Sequence, residues 1–360
     1  KDSKYEKIED IANQNVYLFQ VSNDVQQEVQ SKGNISLVVT KNGLTELGKK
    51  LINDTVEVIL VSSVQYDILG EEIEKFKDDT KILYTAKHEI KATVKVEDEE
   101  SKYNIQSGIF NVYISGIDTE GNISNVARSD ANIIATINTN THEVLLTSIP
   151  RDYYVTLHSY GAKDKLTHSG IYGVNETVKT VEDLLGIDIN YYVRVNFTTV
   201  IKLVDTLGGI DVYSDYDFTT VGYHFNKGYN HINGAQALSF SRERNSFADG
   251  DNQRVKNQQK VIEAIIKKVL NSKTLLTKYT NILNALEGSF QTNMKQDEIS
   301  SLVKGQLSNM SSWTIKNNAL TGTGANNTTY SMGSQLLYVM VPDATSVTEA
   351  KQKIKDIMEK

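Results

Sequence analysis

Cysteine is absent from this 360-residue sequence, which excludes disulfides, thiolate metal sites and thiol catalysis. The sequence also lacks any run of about 18 apolar residues, so it contains no predicted transmembrane helix. An excess of basic charge is lacking as well, since the formal net charge is -7. Nucleic-acid-binding proteins usually carry surplus Lys and Arg that neutralise phosphates, so no nucleic-acid partner is expected.

Common catalytic motifs are missing from the sequence. It contains no G-x-S-x-G, no H-E-x-x-H, no phosphate loop of the G-x-x-x-x-G-K-[ST] type and no G-x-G-x-x-G. Its six histidines are scattered and are interpreted as structural or surface residues. The chemistry must therefore be sought in other residue types.

Arginine is scarce, and its distribution is uneven. Only six of the 38 basic residues are Arg, and all six lie between Arg128 and Arg254. A guanidinium is a planar fork that binds phosphate or carboxylate in a bidentate way, whereas lysine here serves as a diffuse solubilising charge. The confinement of Arg to one stretch therefore indicates a candidate anion site.

Length and charge predict more than one domain. About 150 residues per domain gives two or three domains for this chain. Residues 1–104 hold 14 Lys, no Arg and 20 Asp or Glu, and the acidic run at 97–100 reads as a linker. We therefore predict a small N-terminal α/β domain over 1–104 and a main domain over 105–360.

The main domain is predicted to be an α/β domain. From residue 105 onward, short apolar strands such as the one predicted over 191–195 alternate with helices such as the one predicted over 174–185, which is typical of a mixed central β-sheet covered by helices on both faces. Two predicted helices end at Gly186 and at Gly208-Gly209, where a positive φ costs little. The Thr-, Gly- and Asn-rich stretch 321–331 is predicted to be an exposed loop.

The densest arginine cluster follows a predicted helix over residues 235–240. Arg242 and Arg244 point the same way if their segment is a strand. Asp251 is predicted as the N-cap of the next helix, on which Arg254 and Gln258 share one face. Together they form a candidate phosphate clamp at a helix N-terminus, and a structural ion-pair network is the alternative.

Arg151 and Asp152 follow a predicted strand that stops at a proline. In open α/β sheets ligands bind at the carboxyl ends of strands, so this pair is a candidate binding site. A buried Arg–Asp ion pair explains the same residues. Lys165 belongs to the segment 164–168, which a solvated loop explains equally well.

Asp118 and Asp130 lie at the two ends of one loop between strands. Two carboxylates placed in this way can converge on a hard divalent cation, and Mg²⁺ typically takes one or two carboxylates together with substrate phosphate. An Asx turn with a strand-start cap is the alternative explanation.

Taken in order, eight motifs resemble the LytR-CpsA-Psr family. The resemblance covers residues 105–270 most strongly and extends toward the C-terminus. The N-terminal module looks like the accessory domain of capsule-type streptococcal members. The motifs are Gly116-Ile-Asp118, Arg128-Ser-Asp130, Ile149-Pro-Arg151-Asp152, Asp164-Lys-Leu-Thr-His168, Leu207-Gly-Gly-Ile-Asp211, Asn233-Gly-Ala-Gln-Ala-Leu238, Arg242-Glu-Arg244 and Asp251-x-x-Arg254-x-x-x-Gln258.

The resemblance implies a Mg²⁺-dependent phosphotransferase, with Mn²⁺ as an alternative metal. Such an enzyme moves a glycopolymer, here capsular polysaccharide or a related polymer, from a polyprenyl pyrophosphate lipid to peptidoglycan. The prenyl chain would occupy an apolar tunnel between the sheet and its helices. The chain has Asn257 where family members often have Arg, so no phosphate contact from position 257 is carried over.

The resemblance also assigns roles to individual residues. The metal ligands would be Asp118 and Asp130. The residues around the pyrophosphate would be Arg128, Arg151, Lys165, Arg242, Arg244, Arg254 and Gln258. Catalytic roles fall to Arg151, Asp152, Arg244 and Asp251, with Asp152 and Asp251 as alternative proton acceptors.

Location and the competing functions follow from the same resemblance. The sequence begins at Lys1 without Met, which suggests a processed or trimmed chain, and an N-terminal transmembrane anchor upstream would hold the enzyme on the extracellular face of the membrane. The main alternative is a non-catalytic surface module that binds polyprenyl phosphates and regulates capsule export or length. A DNA-contacting attenuator is opposed by the net charge.

Overall fold

The structure is a computed structural model. In it the chain forms two compact units. One contains residues 1–95, 159–164 and 326–338, and the other contains the remainder. The residues described are 3–19, 21, 23–40, 43–86, 108–117, 123, 127–248, 250–272, 276–277, 279–286 and 290–360. The predicted domain boundary at 104/105 and the predicted linker at 97–100 lie outside them, so both stay predictions.

The N-terminal part of the first unit is a small α/β module. Its three strands form a parallel sheet in the order β2-β1-β3, and the connections between them carry helices, as parallel pairing requires. Val16, Val29 and Ile35 are buried in its core. The elements, preceded by a 3₁₀ turn at Ile8–Ile11, are β1 (Asn15–Leu18), α1 (Asn23–Ser31), β2 (Ser36–Val39), α2 (Leu44–Ile52), β3 (Ile59–Leu60), α3 (Ser63–Glu72) and α4 (Phe76–Asp79).

The second unit is built on a six-stranded mixed sheet with the order β14-β9-β4-β5-β6-β15. β4, β5 and β6 form an antiparallel meander, while β9 and β15 add in parallel on either side. These strands are β4 (Ile109–Ile117), β5 (Ser129–Asn138), β6 (Glu143–Ile149), β9 (Tyr191–Val195), β14 (Phe290–Thr292) and β15 (Thr314–Ala319).

Helices cover both faces of this sheet, which confirms the predicted fold class. The helices of the second unit are α5 (Leu166–Ser169), α6 (Val174–Leu185), α7 (Phe197–Thr206), α8 (Gly234–Arg242), α9 (Asp251–Leu270), α10 (Tyr279–Ala285), α11 (Gln296–Asn309) and α12 (Ala344–Met358). A 3₁₀ turn, Gly170–Tyr172, follows α5.

Each face of the sheet has its own apolar core. On one face Tyr113 and Leu145 pack in a cluster with Val181 of α6 and Ile354 of α12. On the other face the buried cluster, which includes Leu146, packs against residues of α9 and α11. Burying one such large side chain contributes about 1.5–3 kcal/mol, so α9 is held firmly on the second face.

The remaining strands form two-stranded sheets. The β10–β13 and β11–β12 pairs are antiparallel and lie in the second unit, whereas β8, β16 and β17 hold residues of both units. The bounds are β7 (Tyr154–Thr156), β8 (Lys163–Lys165), β10 (Ile210–Ser214), β11 (Phe218–Thr220), β12 (Tyr223–Phe225), β13 (Gly228–Ile232), β16 (Gly322–Thr329) and β17 (Gly333–Pro342).

Two local predictions have clear outcomes. Gly186 ends α6 with φ +58°, and its N–H donates to the carbonyl of Glu182, as the glycine signal predicts. The prediction of a loop over 321–331 is wrong, because Gly322–Thr329 form the strand β16. No helix in the described part of the chain is both long and apolar enough to cross a membrane.

Candidate functional site

The site is centred on the start of β5 and the residues that follow β6. Because these strands are antiparallel, with Asn132 opposite Ile149, Asp130 comes close to Arg151. Arg151 Nη1 donates to Asp130 Oδ1 at 3.1 Å, and the two side chains are only 21% and 13% exposed. The structure therefore places a metal-ligand candidate and a phosphate-binding candidate in direct contact.

Asp130 has one satisfied and one unsatisfied carboxylate oxygen. Thr167 Oγ1 also donates to Oδ1, at 2.9 Å. Oδ2 is buried and has no hydrogen-bond partner among the described residues. A buried carboxylate oxygen without a donor costs free energy, which an incoming cation or donor would offset. Thr167, which the sequence prediction did not single out, lies inside the quoted segment 164–168.

Asp152 links Arg151 to Lys165. Lys165 Nζ donates to Asp152 Oδ1 at 2.9 Å, and Arg151 Nε lies 3.7 Å from Asp152 Oδ2. The buried Arg–Asp ion pair considered for this segment is therefore present. It does not exclude a binding role, since Arg151 also faces the depression described below.

α9 brings the C-terminal part of the arginine cluster to the same place. Arg254 and Gln258 lie four residues apart on one face of α9, as predicted. Together with residues of β5 and β6 they line a small depression at this end of the sheet. Its polar lining consists of Asp130, Asn132, Ser148, Arg151, Arg254 and Gln258.

Two neighbours of Gln258 fix the position of α9. Gln259 Nε2 donates to the carbonyl of Asn318 at 2.7 Å, and Asn257 Nδ2 donates to the carbonyl of Phe240 at 3.3 Å. Both side chains are buried, at 5% and 1% exposure. Asn257 therefore ties α9 to α8, which is the contact made where family members often carry Arg.

The predicted N-cap of α9 is wrong by one residue. The helix begins at Asp251, and the N-cap is Gly250 with φ +48°, a conformation that favours glycine. The side chain of Asp251 lies outside the described residues, so its catalytic role stays a prediction. Asp118 also lies outside them, and so the pairing of Asp118 with Asp130 stays a prediction.

The extended arrangement considered for Arg242-x-Arg244 is not adopted. α8 continues through Arg242, and Arg244 follows in a non-helical segment. The Arg242 guanidinium lies over the ring of Phe197, 4.2 Å from its centroid. Both arginines are exposed, and neither belongs to the lining of the depression. Arg128 is half-buried two residues before Asp130 and is also outside that lining.

Arg194, for which the sequence indicated no role, is a structural residue. It is 5% exposed on β9, and its guanidinium donates to the carbonyls of Ile123 and Ala127. Burial lowers the pKa of this side chain from its ordinary value. Arg194 thus holds the end of the β4–β5 connection immediately before Arg128.

Asp130 supplies an oxygen donor that suits a metal ion. Asp130 Oδ2 is the type of hard oxygen that Mg²⁺ prefers, and it is buried without a partner in the described chain. Within the described residues, no group of three or more His, Asp or Glu side chains could hold a metal. A site that takes one or two carboxylates plus substrate phosphate fits this arrangement, whereas an all-protein cage does not.

Comparison with known proteins identifies the family. A model described as the LytR_cpsA_psr family matches residues 80–354. The chain belongs to this family. The resemblance seen in the sequence is thereby confirmed, and the arginines and Asp130 of the depression lie within the matched LytR_cpsA_psr region.

Several curated relatives are named polyisoprenyl-teichoic acid–peptidoglycan teichoic acid transferase TagU. The Enterococcus faecalis protein is 32% identical over 314 residues, which is 86% of this chain and 97% of that protein. The Bacillus anthracis protein is 37% identical over 194 residues, which is 54% of this chain. That match spans 63% of the Bacillus anthracis protein.

A solved structure has the same fold. The crystal structure of TagU from B. subtilis superposes with a TM-score of 0.55 and 32% sequence identity. The match covers 70% of this chain and 97% of that chain. The central sheet and its helices are thus those of a LytR_cpsA_psr protein.

Proposed function

We propose that this protein is a phosphotransferase that moves a glycopolymer from a polyprenyl pyrophosphate lipid onto peptidoglycan. The observation that carries the proposal is the depression in which Arg151, Arg254 and Gln258 meet Asp130 beside the first turns of α9. Two guanidiniums and a helix N-terminus favour a strongly anionic group such as a pyrophosphate. Membership of a family with members named as polyisoprenyl-linked transferases supports the same substrate class.

The reaction needs no nucleophilic side chain. A peptidoglycan sugar hydroxyl attacks the phosphorus that bears the polymer, forming a phosphodiester and breaking the phosphoanhydride bond. The leaving group is the prenyl monophosphate, and the hydroxyl proton passes to a carboxylate, for which Asp152 and Asp251 remain the two candidates. Phosphoryl transfer depends chiefly on positioning and charge neutralisation, which Arg151 and Arg254 would supply.

Mg²⁺, or Mn²⁺ in its place, is part of the proposal. Asp130 would hold the ion through Oδ2, with Asp118 as the second protein ligand. When bound, the ion would neutralise charge on the pyrophosphate oxygens. Arg151 and Thr167 fix the other oxygen of Asp130, so the carboxylate is already oriented before a ligand arrives.

The polymer and the location are the finer parts of the proposal. The transferred polymer would be capsular polysaccharide, as the sequence resemblance implies, or a related cell-wall glycopolymer such as the teichoic acid in the names of the relatives. The enzyme works on the extracellular face of the membrane, where peptidoglycan lies, and an N-terminal anchor outside this sequence holds it there.

The proposal is tested by reconstituting the transfer. We expect purified protein, lipid-linked polymer, peptidoglycan and Mg²⁺ to yield linked polymer and one prenyl monophosphate per linkage. Chelation with EDTA should stop the reaction, and Mg²⁺ or Mn²⁺ should restore it. Lipid binding without turnover under every metal condition would instead support the non-catalytic module.

A further inference from the structure

Ser148 carries a buried hydroxyl that the fold does not satisfy. It lies on β6 with 1% of its surface exposed, and its Oγ has no hydrogen-bond partner among the described residues. Burying a hydroxyl without a partner costs free energy, so such groups in folded proteins usually have a purpose. None of the roles assigned above uses this side chain.

The direction of Ser148 is set by strand alternation. Side chains two residues apart on a strand point to the same face, so Ser148 shares the face of Leu146, which packs in the cluster beneath α9. Ser148 accordingly lines the depression together with Arg254 and Gln258 from α9. Its neighbour Thr147 lies on the opposite face of the same strand.

A second unsatisfied atom lies in the same depression. Asp130 Oδ2 is buried and has no hydrogen-bond partner within the described chain. Asp130 and Ser148 come from different strands, yet both present an unused polar atom beside Arg151 and the first turns of the 20-residue helix α9. Two such atoms in one lining indicate that a polar ligand completes the site.

We propose that Ser148 is a ligand-binding residue whose hydroxyl donates to a phosphate oxygen of the bound pyrophosphate. This inference rests on the proposed function and adds a residue to it. The guanidiniums of Arg151 and Arg254 draw the anion into the depression, and against an anion the Ser148 hydroxyl serves as a donor. The unsatisfied Ser148 hydroxyl destabilises the ligand-free protein, and ligand binding removes that penalty.

The chain offers a matched control. Thr147 is also fully buried, and its Oγ1 also lacks a hydrogen-bond partner among the described residues, but it faces away from α9. Ser148→Ala and Thr147→Val therefore each remove one unsatisfied hydroxyl from adjacent positions. Only Ser148→Ala removes it from the depression.

The experiment measures ligand-free Tm and the Kd for geranylgeranyl pyrophosphate by calorimetry. Both variants should keep or raise Tm, because each loses an unsatisfied polar group. Ser148→Ala should weaken binding about tenfold, the size of one charge-assisted hydrogen bond, while Thr147→Val leaves Kd unchanged. Inorganic pyrophosphate in a parallel titration shows whether the headgroup alone gives the same ratio, as a phosphate contact requires.

Several results would overturn the inference. An unchanged Kd for Ser148→Ala would do so, as would a Tm lowered by several degrees, which would indicate a hydroxyl that holds the fold. Arg254→Ala separates this outcome from failure of the proposed function. If Arg254→Ala loses binding while Ser148→Ala does not, only the role of Ser148 is wrong. If the unmodified protein binds neither probe, both are wrong.

Discussion

Arg254→Ala is expected to lower kcat/KM for lipid-linked polymer by about 10²–10³, the effect of removing one preorganised donor from a transition state. Arg254 lines the depression from the first turns of α9 and lies on the same helical face as Gln258. α9 is independently anchored by Gln259 and Asn257, so the helix should remain in place without the guanidinium. Initial rates of prenyl monophosphate release measure the effect.

Lys256→Ala is the matched control for this prediction. Lys256 lies two residues from Arg254 on the same helix, but it is exposed and outside the lining of the depression. Its removal takes away one positive charge at nearly the same place in the sequence and should change the rate less than threefold, since an exposed charge contributes little. Equal losses in the two variants would mean that general positive charge is at work and would remove the argument for a specific clamp.

Arg194→Met is expected to reduce the free energy of unfolding by about 2–4 kcal/mol, because it leaves buried carbonyls without donors. The guanidinium donates to the carbonyl of Ile123 at 3.2 Å and to that of Ala127 at 3.5 Å. Methionine fills a similar volume but donates nothing. Urea unfolding measures the loss, and transfer activity should also fall, since Ala127 directly precedes Arg128.

Two comparisons sharpen the test of Arg194. Arg194→Lys should recover only part of the stability, because a single ammonium does not reproduce the forked geometry of a guanidinium. Lys202→Met removes an exposed positive charge from α7 and should stay within about 0.5 kcal/mol of the unmodified protein. An Arg194→Met protein as stable as the Lys202→Met protein would show that the two carbonyl contacts contribute nothing.

Some helices and strands could be predicted from sequence because apolar periodicity and a glycine at the end of a helix are local signals. The strand predicted over 191–195 and the helix predicted over 174–185 match β9 and α6 at both ends. In α6, the apolar residues Val178, Val181 and Leu185 recur at helical spacing and are buried, and the positive φ of Gly186 marks the end of the same helix. Where two such signals coincide, tertiary context has little left to decide.

The edge strand β15 and the β16–β17 pair could not be predicted in this way. β15, with the sequence TIKNNA, is largely exposed, and it is a strand because its backbone pairs with β6. β16 contains Gly, Asn and Thr, which favour turns locally, yet it pairs with β17. In both, backbone hydrogen bonds to a distant partner outweigh local preference, and a single sequence does not reveal that partner.

The candidate site likewise has one part that could be predicted from sequence and one part that could not. Arg254 and Gln258 could be placed together because helical spacing is regular, and Arg151 because a strand ends just before it. The contact of Asp130 with Arg151 depends on the register of β5 against β6, which was not predicted. The helical end at Arg242 and the buried position of Arg194 depend on packing, and the sequence carried no signal for either.

Arg151 and Arg254 are proposed to bind the pyrophosphate of a prenyl lipid. Native mass spectrometry of the protein, purified in mild detergent from cells that make such lipids, tests it most directly. We expect a polyprenyl phosphate or pyrophosphate mass on the unmodified protein and on Lys256→Ala, and none on the double variant Arg151→Ala/Arg254→Ala. An unmodified protein that carries no lipid, or a double variant that carries as much as the unmodified protein, would contradict this role of the two arginines.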